Sequence, residues 1–507
     1  MVVLLDSRLV VSPRELQVIQ RYLNHQKSSP VETTQSVAKD DFNAAAFRSA
    51  SRVFVGVGGS LRLAEAILER VSRRGQKALT SPQPRKPLVA SETKLALSLS
   101  SLLFFHRVLY RLFARLRLQL LHEKVQSVRD RYPKLYGALT SRLAPAVAAS
   151  LSGLALGICP SDQLRVTLAI YIASRACELA YGAIDGLGYT KNKPWWFGSW
   201  LLVPLAQGQL LHSFVFDPDC FPEAYGSFII GYTPEYIQRR PTGTSSKVAW
   251  PSTRQIVDSI AEIAQLRWPP FVSLILHPTK PTTLPAGVST AINPIISRAH
   301  PAQAHLSCAL IHPSQTSCLL AYIRQNLLSF PQIARFFTIY YAALSLLRVK
   351  SLFKAPITFL NKLSKQILLT SIAVSGQIGL SWGTICFWQQ FLPRALLPEF
   401  RFFLGGLLGG VFQIVDRTAS GHANAMYVAR TSVDSVWKVG VKKRWWRPVK
   451  AGDVWLFVAA VAVYNVVYDI SREKEMEIGE DRSMKIVKFF RGEADPEPSS
   501  EDNEKQE

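Results

Sequence analysis

Long stretches without charge alternate along this chain with short basic turns. Three windows stand out. Residues 454–468 (VWLFVAAVAVYNVVY) hold no charge and a single Asn. Residues 402–415 (FFLGGLLGGVFQIV) hold no charge and are rich in Gly, and residues 367–392 run longest without Lys, Arg, Asp or Glu. About twenty apolar residues cross a hydrocarbon core of roughly 30 Å. Trp382, Trp388, Trp445, Trp446 and Trp455 lie near the ends of apolar stretches, as aromatic belts do at bilayer interfaces. These features predict membrane-spanning helices in preference to buried helices of a large soluble protein.

Other windows follow the same pattern. Residues 144–159, 164–186 and 196–216 read as three helices joined by short polar turns, and 95–113 is apolar before a basic end with His106, Arg107 and Arg111. Residues 42–70 are amphipathic, with Arg48, Arg52 and Arg62 around VFVGVGGSL, and 333–347 resembles them. These last two fit the interface plane as well as a span.

An internal repeat organises the chain. YIASRACELAYGAIDG begins at Tyr171 and YVARTSVDSVWKVGVK at Tyr427. Without gaps, Ala173 meets Ala429, Glu178 meets Asp434 and Tyr181 meets Trp437; a helix rich in small residues precedes each, placing Gly153 on Gly409. Each is followed by a Trp pair (Trp195 and Trp196; Trp445 and Trp446) and a last apolar helix. Shared register points to duplication, which dictates architecture. The predicted fold is all-α: a polytopic membrane protein of two tandem repeats, each of four to five helices.

The predicted segments are a polar start (1–41), a first repeat (42–216), a connector (217–330), a second repeat (331–470) and an acidic disordered tail (471–507). The connector is dense in Pro, including Pro218, Pro222, Pro234, Pro241, Pro269 and Pro270, which opposes long helices. It is expected to be a surface domain or an extended loop with short helices. Five spans per repeat invert the second unit, a known transporter plan; four make the units parallel.

The chain resembles the transmembrane protein 135 family, which has a duplicated Tyr-x-Ala helix with an acid seven residues on, behind a Gly/Ala-rich helix. Tyr171…Glu178 and Tyr427…Asp434 keep that spacing. A second likeness is the stretch His305-Leu-Ser-Cys308, then His312-Pro313-Ser314…Cys318, leading into an Arg-bearing helix. The first unit has no His/Cys-rich lead of this kind, a departure from the family pattern. The resemblance covers most of 42–470. It implies kinship with the inner-membrane translocase and peroxisomal membrane protein superfamily, a mitochondrial or peroxisomal membrane, and a role in organelle dynamics or lipid handling.

Composition adds a charge argument. The chain has 507 residues, is 48% hydrophobic and carries a formal net charge of +23, which favours anionic partners such as lipid headgroups. Residues 471–507 hold seven Lys/Arg against twelve Asp/Glu, so the positive excess lies entirely upstream of them. A Pro/Ser/Glu-rich end of this kind has too little apolar surface to order itself. The start is interrupted by Asp6 and Arg8 and does not read as a secretory signal; Asp6 and Glu15 also argue against a mitochondrial presequence. Six Cys without a CxxC exclude a disulfide scaffold and predict reduced thiols.

Four constellations carry candidate chemistry. Arg175 with Glu178, and Arg430 with Asp434, stand one helical turn apart. Charges within a membrane helix pair or face a cavity, so they predict either a polar path or lipid-headgroup site between the repeats, or interhelical glue. Gly405, Gly406, Gly409 and Gly410, like Ala149, Gly153 and Gly157, form small-residue faces, expected to pack within the chain, with a homo-oligomer interface as the alternative. Lys438, Lys442, Lys443, Arg444, Arg447 and Lys450 surround Trp445 and Trp446. Basic residues interleaved with Trp beside a membrane helix predict contact with anionic lipid; a topology-setting flank is the plainer alternative, and nucleic acid is not expected as a partner.

His300, His305, Cys308, His312 and Cys318 match no standard zinc spacing, so no metal or other cofactor is expected and a packed turn at His312-Pro313-Ser314 is. The sequence contains no P-loop, GxSxG, HExxH or dinucleotide fingerprint, and no catalytic residue or enzyme activity is expected. The competing expectation is a channel or transporter for solute, lipid or protein.

Overall fold

The computed structural model describes residues 42–75, 89–121, 126–190, 192–241, 249–273, 275–277, 286–346, 349–473 and 482–493, with Ser12 and Glu15. The polar start and the tail beyond Glu493 otherwise lie outside the described residues. The described residues are all-helical: eighteen α-helices and no strand, with one isolated bridge between Pro270 and His305.

The helices run in chain order as α1 (Phe42–Gly75), α2 (Val89–Leu120), α3 (Gln126–Arg131), α4 (Pro133–Thr140), α5 (Ala144–Ser150) and α6 (Gln163–Gly186). Next come α7 (Leu202–Phe216), α8 (Glu223–Gly231), α9 (Thr253–Gln265), α10 (Ala286–Ile296), α11 (Leu306–Ile311) and α12 (Cys318–Ser345). The last are α13 (Val349–Lys354), α14 (Pro356–Phe391), α15 (Phe400–Gly410), α16 (Ala419–Lys442), α17 (Gly452–Glu473) and α18 (Arg482–Arg491). Helices α5 and α15 each tighten into 3-10 turns, over Leu151–Ile158 and Val411–Val415.

Helix starts follow local chemistry. Asp162 caps α6 by accepting from the Arg165 amide, Ser317 caps α12 at Leu320, and Thr418 caps α16 at Gly421. Ser252 and Gln255 form a reciprocal capping box on α9. Each satisfies a backbone donor that the first turn leaves free.

The chain divides into two compact units, Met1–Asn192 with Val449–Glu507, and Lys193–Pro448. These cuts differ from the predicted segments. Helix α7 groups with the later helices and α17 with the earlier ones, because a helix belongs to the apolar face it covers and not to its neighbour in sequence.

In the first unit α1 packs along α2, α2 lies on α5, and α17 packs on α5 and α6. Gly153 admits α17 closely: a Cβ there would lie 3.0 Å from a Val458 methyl and 3.2 Å from the Phe457 ring. Arg165 of α6 pairs with Asp453 at the start of α17. Helix α18 then returns onto α2 and α17. Its Arg491 side chain is fully buried, paired with Asp469 and 4.5 and 4.6 Å from the Tyr110 and Tyr468 rings. That corrects the expectation of a wholly disordered tail: the segment 482–493 has an apolar face, and Arg491 finds a carboxylate.

In the second unit α12 packs along α14, α14 on α15, α15 on α7, and α7 on α16. Gly405 and Gly409 face Thr384 and Ser381 of α14, while Gly406 and Gly410 face Gln207, Gly208 and Pro204 of α7. A Cβ at Gly410 would stand 2.5 Å from the Pro204 Cα, so backbone contact demands Gly there. The small-residue stripe thus packs inside this unit. Helices α8 to α11 and the turn after α9, from the predicted connector, supply much of its core, including Trp268, Ile256, Ile260, Ile292 and Ile295. The prolines shorten these helices without keeping them on the surface.

Among the described residues, two helices are long and apolar enough to cross a membrane, within Glu92–Leu120 and Gly452–Glu473. A third appears if α4 and the segment Ala144–Ile158, bent by 86°, count as one. This is fewer than the four or five per repeat expected from the sequence. Helix α14, over the longest uncharged window, does not pass. Its buried positions include Thr370, Ser371, Ser375, Gln377, Ser381, Thr384 and Gln389. Absence of charge is not apolarity: Thr370, Ser371, Ser375 and Gln377 hydrogen-bond inside the protein. Helix α7, at 15 residues, is too short to span.

Candidate metal centre and charged clusters

Four sulfur and imidazole groups converge in the second unit. Cys308 stands on α11, His312 at its C-cap, Cys318 at the first turn of α12, and Cys386 near the end of α14. One ligand atom from each lies within 4.8 Å of all the others. The Cys308 and Cys318 Sγ atoms are 3.8 Å apart, and His312 Nε2 is 3.3 Å from Cys386 Sγ. Cys308, His312 and Cys386 are buried, and Cys318 is half-buried.

The surroundings orient the imidazole. His312 Nδ1 is 2.8 Å from the Gln315 carbonyl oxygen, so Nδ1–H donates there and Nε2 faces the sulfurs. The Gln303 amide holds the same turn by donating to the carbonyls of His312 and Gln315, at 3.2 and 2.5 Å. Gln390 Nε2 lies 3.8 Å from Cys318 Sγ. Burial lowers the His312 pKa, but hydrogen bonds with Cys308 and Cys318 outweigh it and push it up to about 10. Hydrogen bonds with Cys308 and Cys386 hold the Cys318 thiol well below its ordinary range, while hydrogen bonds with Cys308 and Cys318 push Cys386 up.

Sequence reading placed a packed turn here with no reason for convergence. His300 and His305 lie outside the group: His300 Nδ1 accepts from the Ala302 amide at 3.2 Å, and His305 precedes α11. Cys386 was missed altogether. Its only signal was a Cys in a long uncharged helix, and no local spacing joins it to residues 308–318.

The predicted charged pairs fall on α6 and α16. Arg175 Nη1 donates to Glu178 Oε2 at 2.5 Å, both partly exposed. Asp434 accepts from Lys438 Nζ at 2.8 Å, a partner the sequence reading did not name for it; Arg430 stands one turn earlier on the same helix. Tyr171 and Tyr427 are 45% and 53% exposed, so neither anchors a core, although Tyr427 meets Tyr225 edge-to-face at 6.1 Å.

The basic cluster divides in two. Lys442 and Lys443 turn back to the buried Asp217, at 3.1 and 3.3 Å, and the Trp446 ring stacks on Trp437 at 5.8 Å. Arg444, Trp445 and Arg447 stay exposed. Arg444 adopts φ 60° as α16 ends, and the Trp445 amide bonds back to the Gly440 carbonyl at 2.8 Å, which turns the chain sharply at the helix end.

No family model, curated protein or solved structure matches the chain.

Proposed function

We propose that this chain is an integral protein of a mitochondrial or peroxisomal membrane that affects organelle dynamics or lipid handling, without a catalytic centre of its own. The resemblance to the transmembrane protein 135 family supplies the organelle and the role. One observation carries the membrane assignment. Within the most apolar 18-residue windows of α2 and α17, only 39% and 44% of residues are buried by protein. Leu97, Phe105 and Leu112 on α2, and Trp455 and Leu456 on α17, remain exposed. Apolar faces of that length require lipid or a partner to cover them.

Duplication is part of the proposal. Helices α6 and α16 are both 24 residues long, their bounds match in the register that aligns Tyr171 with Tyr427, and each follows a helix that tightens into 3-10 turns. On this reading the two copies exchange their last helices: α17 packs on α6, and α7 packs on α16. Arg444, Trp445 and Arg447 make the anionic-lipid contact, with Lys442, Lys443 and Trp446 shaping the turn that presents them.

The channel or transporter reading has its own support. His106 Nε2 is 3.1 Å from Asn465 Oδ1, and Asn465 Nδ2 donates to Ser150 Oγ at 3.1 Å, a buried polar string between α2, α17 and α5.

The test is alkaline carbonate extraction of the full-length chain, with imaging against mitochondrial and peroxisomal markers. The expected result is retention in the membrane pellet and overlap with one marker. Release into the supernatant overturns the membrane assignment; retention at a third membrane overturns the organelle. Solute flux through liposomes holding the pure protein, lost on Asn465→Leu, favours the channel.

A further inference from the structure

We infer that Cys308, His312, Cys318 and Cys386 form a closed tetrahedral site for one structural zinc ion. Three sulfurs and one imidazole nitrogen are a ligand set that selects zinc among the common divalent ions. With Zn–S near 2.3 Å and Zn–N near 2.0 Å, a tetrahedron has sulfur–sulfur edges of about 3.8 Å and sulfur–nitrogen edges of about 3.5 Å. The Cys308–Cys318 edge is 3.8 Å, the His312–Cys386 edge 3.3 Å, and no ligand pair exceeds 4.8 Å. With every pair within 4.8 Å, small side-chain adjustments bring all four atoms to bonding distance of one point.

The outer partners fit the same assignment. A zinc-bound histidine donates its second ring N–H to a carbonyl or carboxylate, which fixes the tautomer and aims the ligand nitrogen. His312 has that partner in the Gln315 carbonyl, at 2.8 Å. Gln303 braces the carbonyls of both His312 and Gln315.

Four protein ligands leave no position for water or substrate, which marks a structural and not a catalytic site. Zn2+ replaces the thiol protons of the three cysteines, and these pass to solvent. No redox partner is involved. The ion ties the α11 turn and the start of α12 to the far end of α14. That contact is otherwise made by a short helix of six residues, so the metal fastens the module from the middle of the chain onto the long helices. The inference is independent of the membrane assignment.

The experiment uses full-length protein purified under reducing conditions. Elemental analysis should find one zinc per chain in the wild type and in Cys177→Ser, whose exposed cysteine lies in the first unit. Cys308→Ser, Cys318→Ser, Cys386→Ser and His312→Ala should lose it, while His312→Cys, which restores a four-ligand set, should retain it. Metal-stripped wild type titrated with cobalt(II) should develop the intense visible bands of tetrahedral thiolate coordination. Gln303→Ala should weaken metal affinity roughly 10- to 100-fold while leaving the stoichiometry unchanged. X-ray absorption of the wild type should report three sulfurs and one nitrogen, which holds the inference testable if the substituted chains fail to fold. Zinc that survives all four single substitutions is adventitious and overturns it. So does a Cys308–Cys318 disulfide in the reduced preparation, or a folded wild type that takes up neither zinc nor cobalt.

Discussion

The two compact units put their long helices to different ends. In the first, long helices α2 and α17 leave much of their apolar surface uncovered. In the second, α14 is longer than either at 36 residues, yet its centre is lined with hydroxyl and amide groups that bond inward. Thr370 donates to Asp416 at 2.7 Å, Gln377 to Gln413 at 2.9 Å, and Ser375 lies 3.1 Å from Ser329. The second unit also takes in α8 to α11 and the Cys/His centre. Helix length therefore says little about environment; where each helix spends its hydrogen bonds says more. A helix satisfied by its own backbone can face lipid, whereas one crowded with side-chain donors needs partners around it.

The largest expected contrast lies in helix approach. Gly410→Leu should cost about 3 kcal/mol or more, because the Pro204 backbone has nowhere to move. Gly157→Leu in the first unit, with no heavy atom within 4 Å of an added Cβ, should leave the thermal midpoint almost unchanged. Equal melting of the two variants would break the packing contrast.

Buried polar groups should follow next. Asp416 accepts from Thr370, from Thr418 Oγ1 at 2.5 Å and from the Thr418 amide at 3.2 Å. Asp416→Ala strands those donors and should destabilise by about 3 kcal/mol. If α17 lies in a membrane as proposed, Asn465→Ala should cost only about 1 kcal/mol, as interhelical hydrogen bonds in membranes do. Denaturant unfolding in detergent compares them, and a larger loss at Asn465 would reverse the assignment of the two interiors.

Deleting residues 482–507 should uncover the cavity of about 130 Å³ that Val487 and Phe490 help to line beside Leu102, His106 and Phe457. A loss of about 2 kcal/mol is expected from the apolar area exposed. Deleting only 494–507, a segment without a large apolar side chain, should cost nothing measurable. If both truncations melt alike, α18 contributes no stability to the first unit.

The smallest effects separate the halves of the basic cluster. Arg444→Gln with Arg447→Gln should weaken binding to cardiolipin-containing vesicles by about 1 kcal/mol per charge at low salt, with stability unchanged. Lys442→Gln with Lys443→Gln should leave vesicle binding nearly intact and lower stability by about 1 kcal/mol, through the pairs to Asp217. The opposite pattern would show that the lysines face lipid.

Much of the local structure was legible. The apolar windows at 164–186 and 454–468 mark helices that the structure contains, and Gly405 to Gly410 signalled close packing. The tail was misread because charge counting over 471–507 hid the amphipathic segment around Val487 and Phe490. The candidate metal centre was half legible: Cys308, His312 and Cys318 stood out, but without Cys386 their spacing matched no known pattern.

What the sequence determined by itself is local, because it rests on bonds and contacts within a turn or two: helix against turn, the caps, the need for Gly where backbones meet. What only the tertiary structure decided is which surfaces meet. It grouped α7 with the later helices and α17 with the earlier ones, turned the Pro-rich middle into core, bent Lys442 and Lys443 back to Asp217, and brought Cys386 to His312. The physical reason is that burial and hydrogen-bond satisfaction are settled between elements far apart in the chain, and no window of sequence contains both partners.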